Sequence, residues 1–447
     1  MKTINYKIII IETSDVGAAY TAEAVKRLGY QPIFICTMSN YQSDTYNQII
    51  KYTYYDCNDT TQIEPIVKVI ESNDIEDIVG VITMLDSRLS VSFDLARYFN
   101  VPGVDPAVKT LCDKGKVARL IPEYSPKTIS FRIGDVPFND LENVLANCTR
   151  LVFKPTCSAG ALGMFTITTS DQLKNIIDII KNTSIDKLIN GEWIAQPFLP
   201  GRLFSLEGYA LNGKARFIGF SARQKIDNTE SVNHFPANDF LNEKVIANTY
   251  QAINDLISRS NFQNGYFHTE FMIDFDRYYL IDANFGRIGG GAVAQQAALS
   301  YDKNPIDIYN HILEITLFKR TSLDIYQNIP LRTLSVNYGV PENAILSKVN
   351  LPNNLRVLHT QILNSGTLVP KMGLNNWSWL GILVGYPKEL LKFLESVKIV
   401  TDKGEFEPCF LKNGIAELDK LVQTEVIENN SLDKKDEQRV RLNAIKK

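Results

Sequence analysis

The 447-residue chain has few of the features that mark disulfide-stapled, zinc-binding or nucleic-acid-binding proteins. Its six cysteines are scattered without CxxC spacing, which argues against a disulfide framework and a structural zinc site and favours reduced thiols. The 47 Lys and Arg residues do not exceed the 50 Asp and Glu residues, so the clustered basic excess that a polyanion requires is missing. We therefore expect no nucleic acid partner.

Long apolar stretches are also missing. The strongest runs, at residues 8–11 and 380–384, are far shorter than the ~20 residues of a bilayer span. The first run ends at Glu12, too early for a signal peptide. With 45% hydrophobic and 22% charged residues the composition is that of a globular protein, and the length suggests about three domains. We expect a cytoplasmic protein with no membrane partner.

The first hundred residues alternate between strand and helix patterns. Residues 6–11 (YKIIII) form a β-branched run typical of a strand buried on both faces, and similar strands are predicted at 32–36 and 77–83. Helical patterns lie between and after them, at 16–28 and 90–99. This order predicts an α/β fold that begins with a small, doubly wound parallel sheet. Ligands bind beyond the carboxyl ends of such strands, here near residues 12–14 and 83–87.

Turn signals and shifts in composition divide the rest of the chain. Hairpins are predicted at Asn212-Gly213 and around residues 274–276, and a helix at 387–397 precedes an extended segment at 398–401. The charge-dense end of the chain predicts a frayed tail. The predicted units are 1–110, 111–195, 196–320, 321–428 and the tail 429–447.

Two segments have residues suited to a nucleotide. Lys154 ends an apolar strand and precedes a small-residue loop at 158–163, an arrangement that can bring a cation and backbone N–H groups onto phosphate oxygens. A surface lysine beside a flexible turn is the alternative, and GxxxxGK[ST] is absent. The second segment, residues 193–208, contains Pro197 and Gly201 and is either an interdomain hinge that presents backbone groups to a base or a hairpin corner.

The third segment, residues 265–291, predicts a hairpin with oxygen ligands. Alternation places His268, Glu270 and Met272 on one face of the first strand, and Asp282 and Asn284 on one face of the second. Paired strands would bring Glu270, Asp282 and Asn284 into a cluster of the kind that Mg²⁺ selects. An acidic hairpin on a solvated face is the alternative, disfavoured because a hairpin this apolar should be buried. A cation, Arg287, and three glycines follow at once.

These residues resemble the ATP-grasp superfamily, and within it the carboxylate–amine ligases, notably the L-amino-acid (dipeptide) ligases. The resemblance covers roughly residues 5–400 and implies an ATP-grasp fold after the first domain, followed by a mixed C-terminal segment. The family pattern is Glu, then twelve residues on Glu-x-Asn, then an arginine and glycines. This chain has Glu270 and Asn284 but Asp282 in place of the second Glu, and Arg287 stands one residue later than usual.

The resemblance implies a role for each position. Lys114 and Lys154 would hold the phosphates of ATP, and Arg287 would stabilise the acyl phosphate as a catalytic residue beside Lys154. The metal ion, Mg²⁺ or Mn²⁺, would be bound by Glu270, Asp282 and Asn284. The remaining nucleotide contacts would come from the covering loop, the hinge and the residues that sandwich adenine: Ser158, Ala159, Gly160, Gln196, Pro197, Leu199, Met272 and Ile281.

Three further positions are candidate substrate contacts, each with an alternative left open. His268 should face the same cavity as Glu270 and contact the acceptor amine or the donor carboxylate, unless it is only hydrogen-bonded within a sheet. Asp86 would pair with a substrate ammonium group, as in dipeptide ligases, or cap the helix that follows it. Gly290 is the third candidate. The polar segment 223–238 is either a loop over the substrate or a plain connection.

The expected function is an ATP-dependent ligase that activates a carboxylate, for instance that of an amino acid, as an acyl phosphate and couples it to an amine. An ATP-grasp carboxylase acting on bicarbonate or a small metabolite is the runner-up, and a nucleotide-binding regulator without turnover is the third possibility. Small-molecule substrates are the expected partners, and a homodimer is left open. Selectivity depends on irregular segments, so the sequence names neither substrate.

Overall fold

The computed structural model describes residues 6–415, except 15, 42, 159–161, 184–189, 228, 323–324, 354–355 and 375. Two predicted nucleotide contacts, Ala159 and Gly160, lie outside the described residues, as does the predicted tail 429–447.

The N-terminal part contains the predicted parallel sheet. Its strand order is β3-β2-β1-β4, with β1 at Lys7–Ile11, β2 at Gln31–Cys36, β3 at Thr53–Asp56 and β4 at Ile78–Ile82. The four isoleucines of β1 are fully buried, since helices cover both faces of the sheet. These helices are α1 (Ala18–Arg27), α2 (Ser43–Ile49), α3 (Ile63–Ser72) and α4 (Leu89–Tyr98).

A second, antiparallel sheet follows two short helices, α5 (Val108–Leu111) and α6 (Lys114–Leu120). Its order is β5-β8-β6-β7, with β5 at Ile129–Phe131, β6 at Leu151–Pro155, β7 at Phe165–Ile167 and β8 at Trp193–Pro197. Helices α7 (Phe138–Leu145), α8 (Ser170–Lys174) and α9 (Ile176–Thr183) complete this layer. Its core contains Leu151, Phe153 and Trp193.

The largest sheet has eight antiparallel strands in the order β13-β12-β9-β10-β11-β14-β18-β16. The predicted hairpins are confirmed: Asn212 and Gly213, both with positive φ, join β9 to β10, and residues 275–276 join β12 to β13. The strands are β9 (Arg202–Leu211), β10 (Lys214–Ile226), β11 (Thr229–Phe235), β12 (Gly265–Asp274), β13 (Arg277–Phe285), β14 (Thr333–Tyr338), β16 (Leu358–Gln361) and β18 (Gly381–Gly385).

Two expectations about this region need correction. Most of segment 223–238 is strand, because β10 and β11 form a hairpin inside the large sheet, and therefore it is neither a covering loop nor a plain connection. The predicted boundary at residue 320 falls within one continuous sheet, since β11 pairs with β14. A smaller sheet, in the order β17-β15-β19-β20, follows: β15 (Ala344–Asn350), β17 (Leu368–Val369), β19 (Lys398–Thr401) and β20 (Gly404–Phe406).

The remaining helices pack on the large sheet. Helix α10 (Glu243–Ser260) lies against β10 and β13, and α11 (Val293–Ser300) lies against β14. Helix α12 (Pro305–Phe318) joins the first domain to the large sheet, because it contacts both α1 and β12. The predicted helix near residue 387 is α13 (Pro387–Ser396). Among the helices described, none has the length and apolarity to cross a membrane.

A glycine in β9 permits the close packing of the large sheet. A Cβ atom at Gly208 would lie 2.3 Å from Cζ of the buried Phe267 and 2.6 Å from the carbonyl oxygen of Arg216. We expect Gly208→Ala to lower the free energy of unfolding by about 1–3 kcal/mol, because Phe267 must shift in a filled core. Urea denaturation measures this.

Gly134→Ala is the matched control, since a Cβ atom there meets nothing within 4 Å. It should change stability by no more than about 0.5 kcal/mol. Equal stability of the Gly208→Ala variant and the wild type would show that the sheet accommodates the methyl group.

Candidate functional site

The site forms where the small antiparallel sheet faces the β12–β13 hairpin. Along β6, Leu151 and Phe153 are buried in the core of their own layer, so alternation places Lys154 on the other face. The Lys154 Nζ atom donates a hydrogen bond to the carbonyl oxygen of Ile281, at 2.9 Å. The predicted phosphate lysine therefore points at the predicted metal hairpin.

A β-bulge in the hairpin explains this contact. Glu270 pairs with Asp282, but the next residue, Phe271, pairs with Leu280, so Ile281 is an extra residue in β13. A bulged residue lies outside the regular ladder, and its carbonyl oxygen here accepts from Lys154. Because of this bulge Glu270 and Asp282 lie directly opposite each other, which brings two members of the expected cluster together.

Lys114 approaches the same hairpin from α6. Asp113 caps this helix by accepting from the backbone N–H of Lys116 at 2.9 Å. Lys114 Nζ donates to the carbonyl oxygen of Ser158 at 2.8 Å and lies 3.3 Å from Asp282 Oδ1. Lys114, Lys154, Ser158 and Asp282, which are distant in sequence, are thus brought together.

The two lysines differ in their electrostatics. Burial, together with the nearby Lys114 ammonium, lowers the pKa of Lys154 to about 8 against the attraction of Asp282. Burial also opposes the charge of Lys114, but the contact with Asp282 raises the pKa of Lys114 above its ordinary value. Two buried ammonium groups beside each other make the region attractive to an anion such as phosphate.

The Glu270 carboxylate is held by cations. Its Oε1 atom accepts from Arg223 Nη1 at 3.0 Å and lies 3.3 Å from His268 Nε2. Burial alone would raise the pKa of Glu270, but Arg223, His268 and Lys114 hold it well below its usual range. Glu270 is therefore ionised at neutral pH and can act as a hard oxygen ligand.

His268 lies beneath this carboxylate and is fixed from β9. Glu207, opposite His268 in the sheet register, has its Oε1 atom 2.5 Å from His268 Nδ1. The other Glu207 oxygen accepts from the backbone N–H of Gly289 at 3.1 Å. Burial opposes protonation of His268, but Glu207 raises the pKa of the imidazole to about 9. His268 is thus hydrogen-bonded within the sheet, to Glu207, and it also lies next to Glu270 of the expected metal cluster.

Arg287 and Asp86, predicted for separate roles, form an ion pair. The guanidinium donates to both carboxylate oxygens of Asp86, and its Nη1 atom donates to the carbonyl oxygen of Ile288 at 2.7 Å. Asp86 does not cap α4, because the residue before that helix is Arg88 and no side-chain cap is present there. The helix-cap alternative for Asp86 is therefore wrong.

A pocket lies between α6, β8 and β13. Gln196, Lys114, Ile281 and Asp282 are among its lining residues. Gln196 is buried, and its Nε2 atom donates to Thr128 Oγ1 at 2.8 Å. Three other residues predicted to contact the nucleotide, namely Pro197, Leu199 and Met272, are not part of this lining.

The donor set fits a magnesium ion. Asn284 lies opposite His268 in the register, two residues beyond Asp282 on β13. Within the described ranges, no three His, Cys, Asp or Glu side chains are grouped closely enough to form a complete metal site. Mg²⁺ does not need such a cage, because one or two carboxylates together with substrate phosphates suffice. Glu270, Asp282 and Asn284 supply two carboxylates and an amide oxygen.

Two functional residues, Glu207 and Arg223, were not predicted as site residues. Both are charged residues in strands with buried neighbours. An ionisable residue within a buried strand needs a partner, and that signal could have identified both.

Comparison with known proteins agrees with this geometry. Residues 148–295 match the ATP-grasp domain family. The chain has an ATP-grasp fold. It is similar to the L-amino acid ligase from Bacillus licheniformis, with 16% identity and a TM-score of 0.69 over 89% of this chain and 98% of that one. A search of curated proteins returned no match.

Two other solved structures are similar over comparable lengths. Phosphoribosylglycinamide synthetase from Anaerococcus prevotii has 14% identity and a TM-score of 0.67, over 89% of this chain and 99% of that one. The biotin carboxylase domain of the 2-oxoglutarate carboxylase from Hydrogenobacter thermophilus has 11% identity and a TM-score of 0.68, over 93% of each chain. These three enzymes have different names, so the shared fold does not determine the reaction.

Glu207 offers a test of the buried part of the site. Glu207→Gln keeps the volume but replaces a carboxylate that faces two donors, the protonated His268 Nδ1 and the Gly289 N–H, by an amide whose single oxygen can accept from only one of them unless His268 loses its proton. We expect a loss of about 1–3 kcal/mol in unfolding free energy, as for an unsatisfied buried group. Urea denaturation measures the loss.

Glu123→Gln is the matched control, because Glu123 pairs with Arg259 at the surface. Exposed ion pairs contribute little, so this variant should unfold like the wild type. If Glu207→Gln also unfolds like the wild type, Glu207 does not hold His268 and Gly289 in place.

Proposed function

We propose that the chain is an ATP-dependent ligase that activates a carboxylate, for instance that of an amino acid, as an acyl phosphate and couples it to an amine. The observation that carries this proposal is the meeting of Lys114 and Lys154 with Glu270 and Asp282 at one hairpin. Cations for phosphate oxygens and oxygen ligands for a divalent cation are the groups that phosphoryl transfer requires.

The nucleotide would lie between the small antiparallel sheet and the β12–β13 hairpin. Lys114 and Lys154 would bind its phosphates, and Ser158 would contact them together with Ala159 and Gly160, which lie outside the described residues. Gln196 and Ile281, which line the pocket at the end of that hairpin, support an adenine site there. The proposed adenine contacts also include Pro197, Leu199 and Met272.

Glu270, Asp282 and Asn284 would hold Mg²⁺ or Mn²⁺, which when bound neutralises phosphate charge. Arg223 pairs with Glu270 and Lys114 pairs with Asp282, so a metal ion would compete with these two cations for the carboxylates. The side chain of Asp282 is shorter than the glutamate of the family pattern. Its Oδ1 atom lies 3.3 Å from Lys114 Nζ.

The reaction has two steps. A carboxylate oxygen of the first substrate attacks the γ-phosphorus of ATP, the bond to the bridging oxygen breaks, and ADP leaves. The amine nitrogen then attacks the acyl carbon, phosphate leaves with the bonding electrons, and the amine loses a proton. Preorganised charges that stabilise the transferring phosphoryl group account for most of the rate enhancement in such transfers. We assign this role to Lys154 and Arg287.

Asp86 takes a positioning role in this proposal. Both of its carboxylate oxygens accept from Arg287, so Asp86 orients the guanidinium that we assign to the acyl phosphate. The earlier expectation, an ion pair between Asp86 and a substrate ammonium group, would require Arg287 to release it. His268 and Gly290 remain candidate substrate contacts. His268 Nε2 lies 3.0 Å from Arg223 Nη2, and Gly290 lines a pocket together with Arg223.

An ATP-grasp carboxylase is the second candidate. It is favoured by the similarity to the carboxylase domain from Hydrogenobacter thermophilus, which was crystallised with ADP, magnesium and bicarbonate. A regulator that binds nucleotide without turnover is disfavoured, because such a protein has no need of the full set of lysines, carboxylates and asparagine.

ADP release separates the three candidates. We expect release with Mg²⁺ when an amino acid or other carboxylate is paired with an amine, from panels of both. Release that depends on bicarbonate would support the carboxylase instead, and no release with any substrate would support the regulator.

Glu270→Gln should abolish that release and weaken Mg·ATP binding, because the variant loses a charged metal ligand. Glu230→Gln is the matched control for calorimetry of Mg·ATP, since Glu230 binds the same Arg223 Nη1 atom but lies outside the metal cluster. Normal turnover and Mg·ATP affinity in a folded Glu270→Gln variant would remove the hairpin from the mechanism.

A further inference from the structure

Two neighbouring strands bury an unusual row of polar side chains. Every residue of β14 is buried, and Val232, Leu334 and Val336 fill a hydrophobic core on one face of the β11–β14 pair. On the other face lie Ser231 and Asn233 of β11 with Ser335 and Asn337 of β14, in a register that pairs Asn233 with Ser335. Buried polar groups are costly unless something hydrogen-bonds to them.

The Asn233 side chain is oriented by Gln296. Gln296 Nε2 donates to the backbone carbonyl oxygen of Asn233 at 2.9 Å, so its Oε1 atom is the acceptor for Asn233 Nδ2, also at 2.9 Å. The Asn233 Oδ1 atom is thereby fixed on the other side. Asn233 is only 8% exposed, and this oxygen has no hydrogen-bond partner among the described residues.

Asn337 repeats the pattern on the next strand. It is 4% exposed, and its Nδ2 atom is directed at the carbonyl oxygen of Glu230, at 3.5 Å. Its Oδ1 atom likewise lacks a partner within the part of the chain that the structure describes. An unsatisfied buried acceptor is costly, so two of them on residues that line one pocket indicate a site that a ligand completes.

Both asparagines line one pocket, together with Arg223, Glu230, Gly290 and Gly291. We call this the acceptor pocket. It adjoins the proposed metal hairpin, because Arg223 Nη1 lies 3.2 Å from Glu230 Oε1 and 3.0 Å from Glu270 Oε1. Arg223 and the His268 imidazolium thus face three carboxylates, those of Glu207, Glu230 and Glu270, which leaves one negative charge in excess.

The oxygen atoms that line the acceptor pocket favour a ligand group that is positively charged and donates hydrogen bonds. The Arg223 guanidinium in the lining is already paired with Glu230 and Glu270. The two amide oxygens and the Glu230 carboxylate can only accept hydrogen bonds, so a phosphate or carboxylate of a ligand would meet acceptors there. A primary ammonium group has three N–H donors and no acceptor.

We propose that the acceptor pocket binds a primary ammonium group of a substrate through Asn233, Asn337 and Glu230. The inference rests on the proposed ligase function and extends it. The ammonium group belongs either to the amino acid whose carboxylate is activated or to the amine that attacks.

Calorimetry with matched ligand pairs tests the pocket without turnover. Each protein amino acid that lacks a charged side chain is compared with its deaminated acid, for example alanine with propionate, on the full chain with Mg²⁺ and a non-hydrolysable ATP analogue. The wild type should prefer the ammonium-bearing member of at least one pair. Asn337→Leu should reduce that preference at least about tenfold, because a site built for hydrogen bonding loses its acceptor.

Two further variants show that the effect is specific. Asn337→Asp keeps an acceptor at the same place and should retain the preference. Asn264→Leu removes a buried amide whose oxygen already accepts from the backbone N–H of Asn212 at 3.0 Å, far along the sheet, and should leave the preference unchanged. A wild type without any preference, or a preference that Asn337→Leu preserves, would overturn the proposal.

Turnover identifies the source of the ammonium group. Hydroxylamine, which is uncharged at about pH 8, replaces the amine, and ADP release is followed with alanine-type pairs as donors. If the wild type prefers alanine to propionate as the donor in the presence of hydroxylamine, and Asn337→Leu loses this preference, the pocket binds the ammonium group of the donor amino acid. If Asn337→Leu lowers ADP release only when an amino acid serves as the acceptor, the pocket binds the attacking amine. Absence of turnover in the wild type would refute the ligase function, whereas the calorimetry still decides on the pocket.

Discussion

One buried guanidinium holds the centre of this molecule together. Arg223 on β10 contacts Glu230 on β11 and reaches across β9 to Glu270 and His268 on β12. Opposite Glu270, β9 has the small Ser205, which pairs with Ser221 of β10, two residues before Arg223, and this leaves room for the diagonal reach of the Arg223 side chain. Glu207 of β9 then holds His268 from the other side. Four adjacent strands are thus joined by charges that cannot be removed singly without leaving another charge buried.

This charge cluster determines where a ligand can bind. It holds Glu270 ionised at the edge of the large sheet, while Lys114 and Lys154 approach the same hairpin from α6 and the small antiparallel sheet. Cations and carboxylates thus lie together at the place where the two sheets meet. The region is therefore prepared for a ligand that has both anionic oxygens and a divalent cation, as Mg·ATP has.

Much of this arrangement follows from local sequence. The isoleucine run of β1 predicted a strand buried on both faces, and the alternation and turn residues in 265–285 predicted a hairpin, because strand period and turn residues are local properties. The Ile281 bulge and the pairing of Asp86 with Arg287 could not be predicted, since each depends on a register or a contact between distant segments. Segment 223–238 was misjudged because its polar residues suggested solvent, whereas in the sheet they are paired with one another.

Anomalous diffraction from crystals grown with Mn²⁺ and a non-hydrolysable ATP analogue tests the central claim most directly, that the β12–β13 hairpin is a nucleotide-linked metal site. The account predicts a manganese peak bonded to the carboxylates of Glu270 and Asp282 and to phosphate oxygens of the nucleotide, with Lys154 turned from the Ile281 carbonyl towards those phosphates. A nucleotide bound elsewhere, or manganese with no contact to this hairpin, would contradict it.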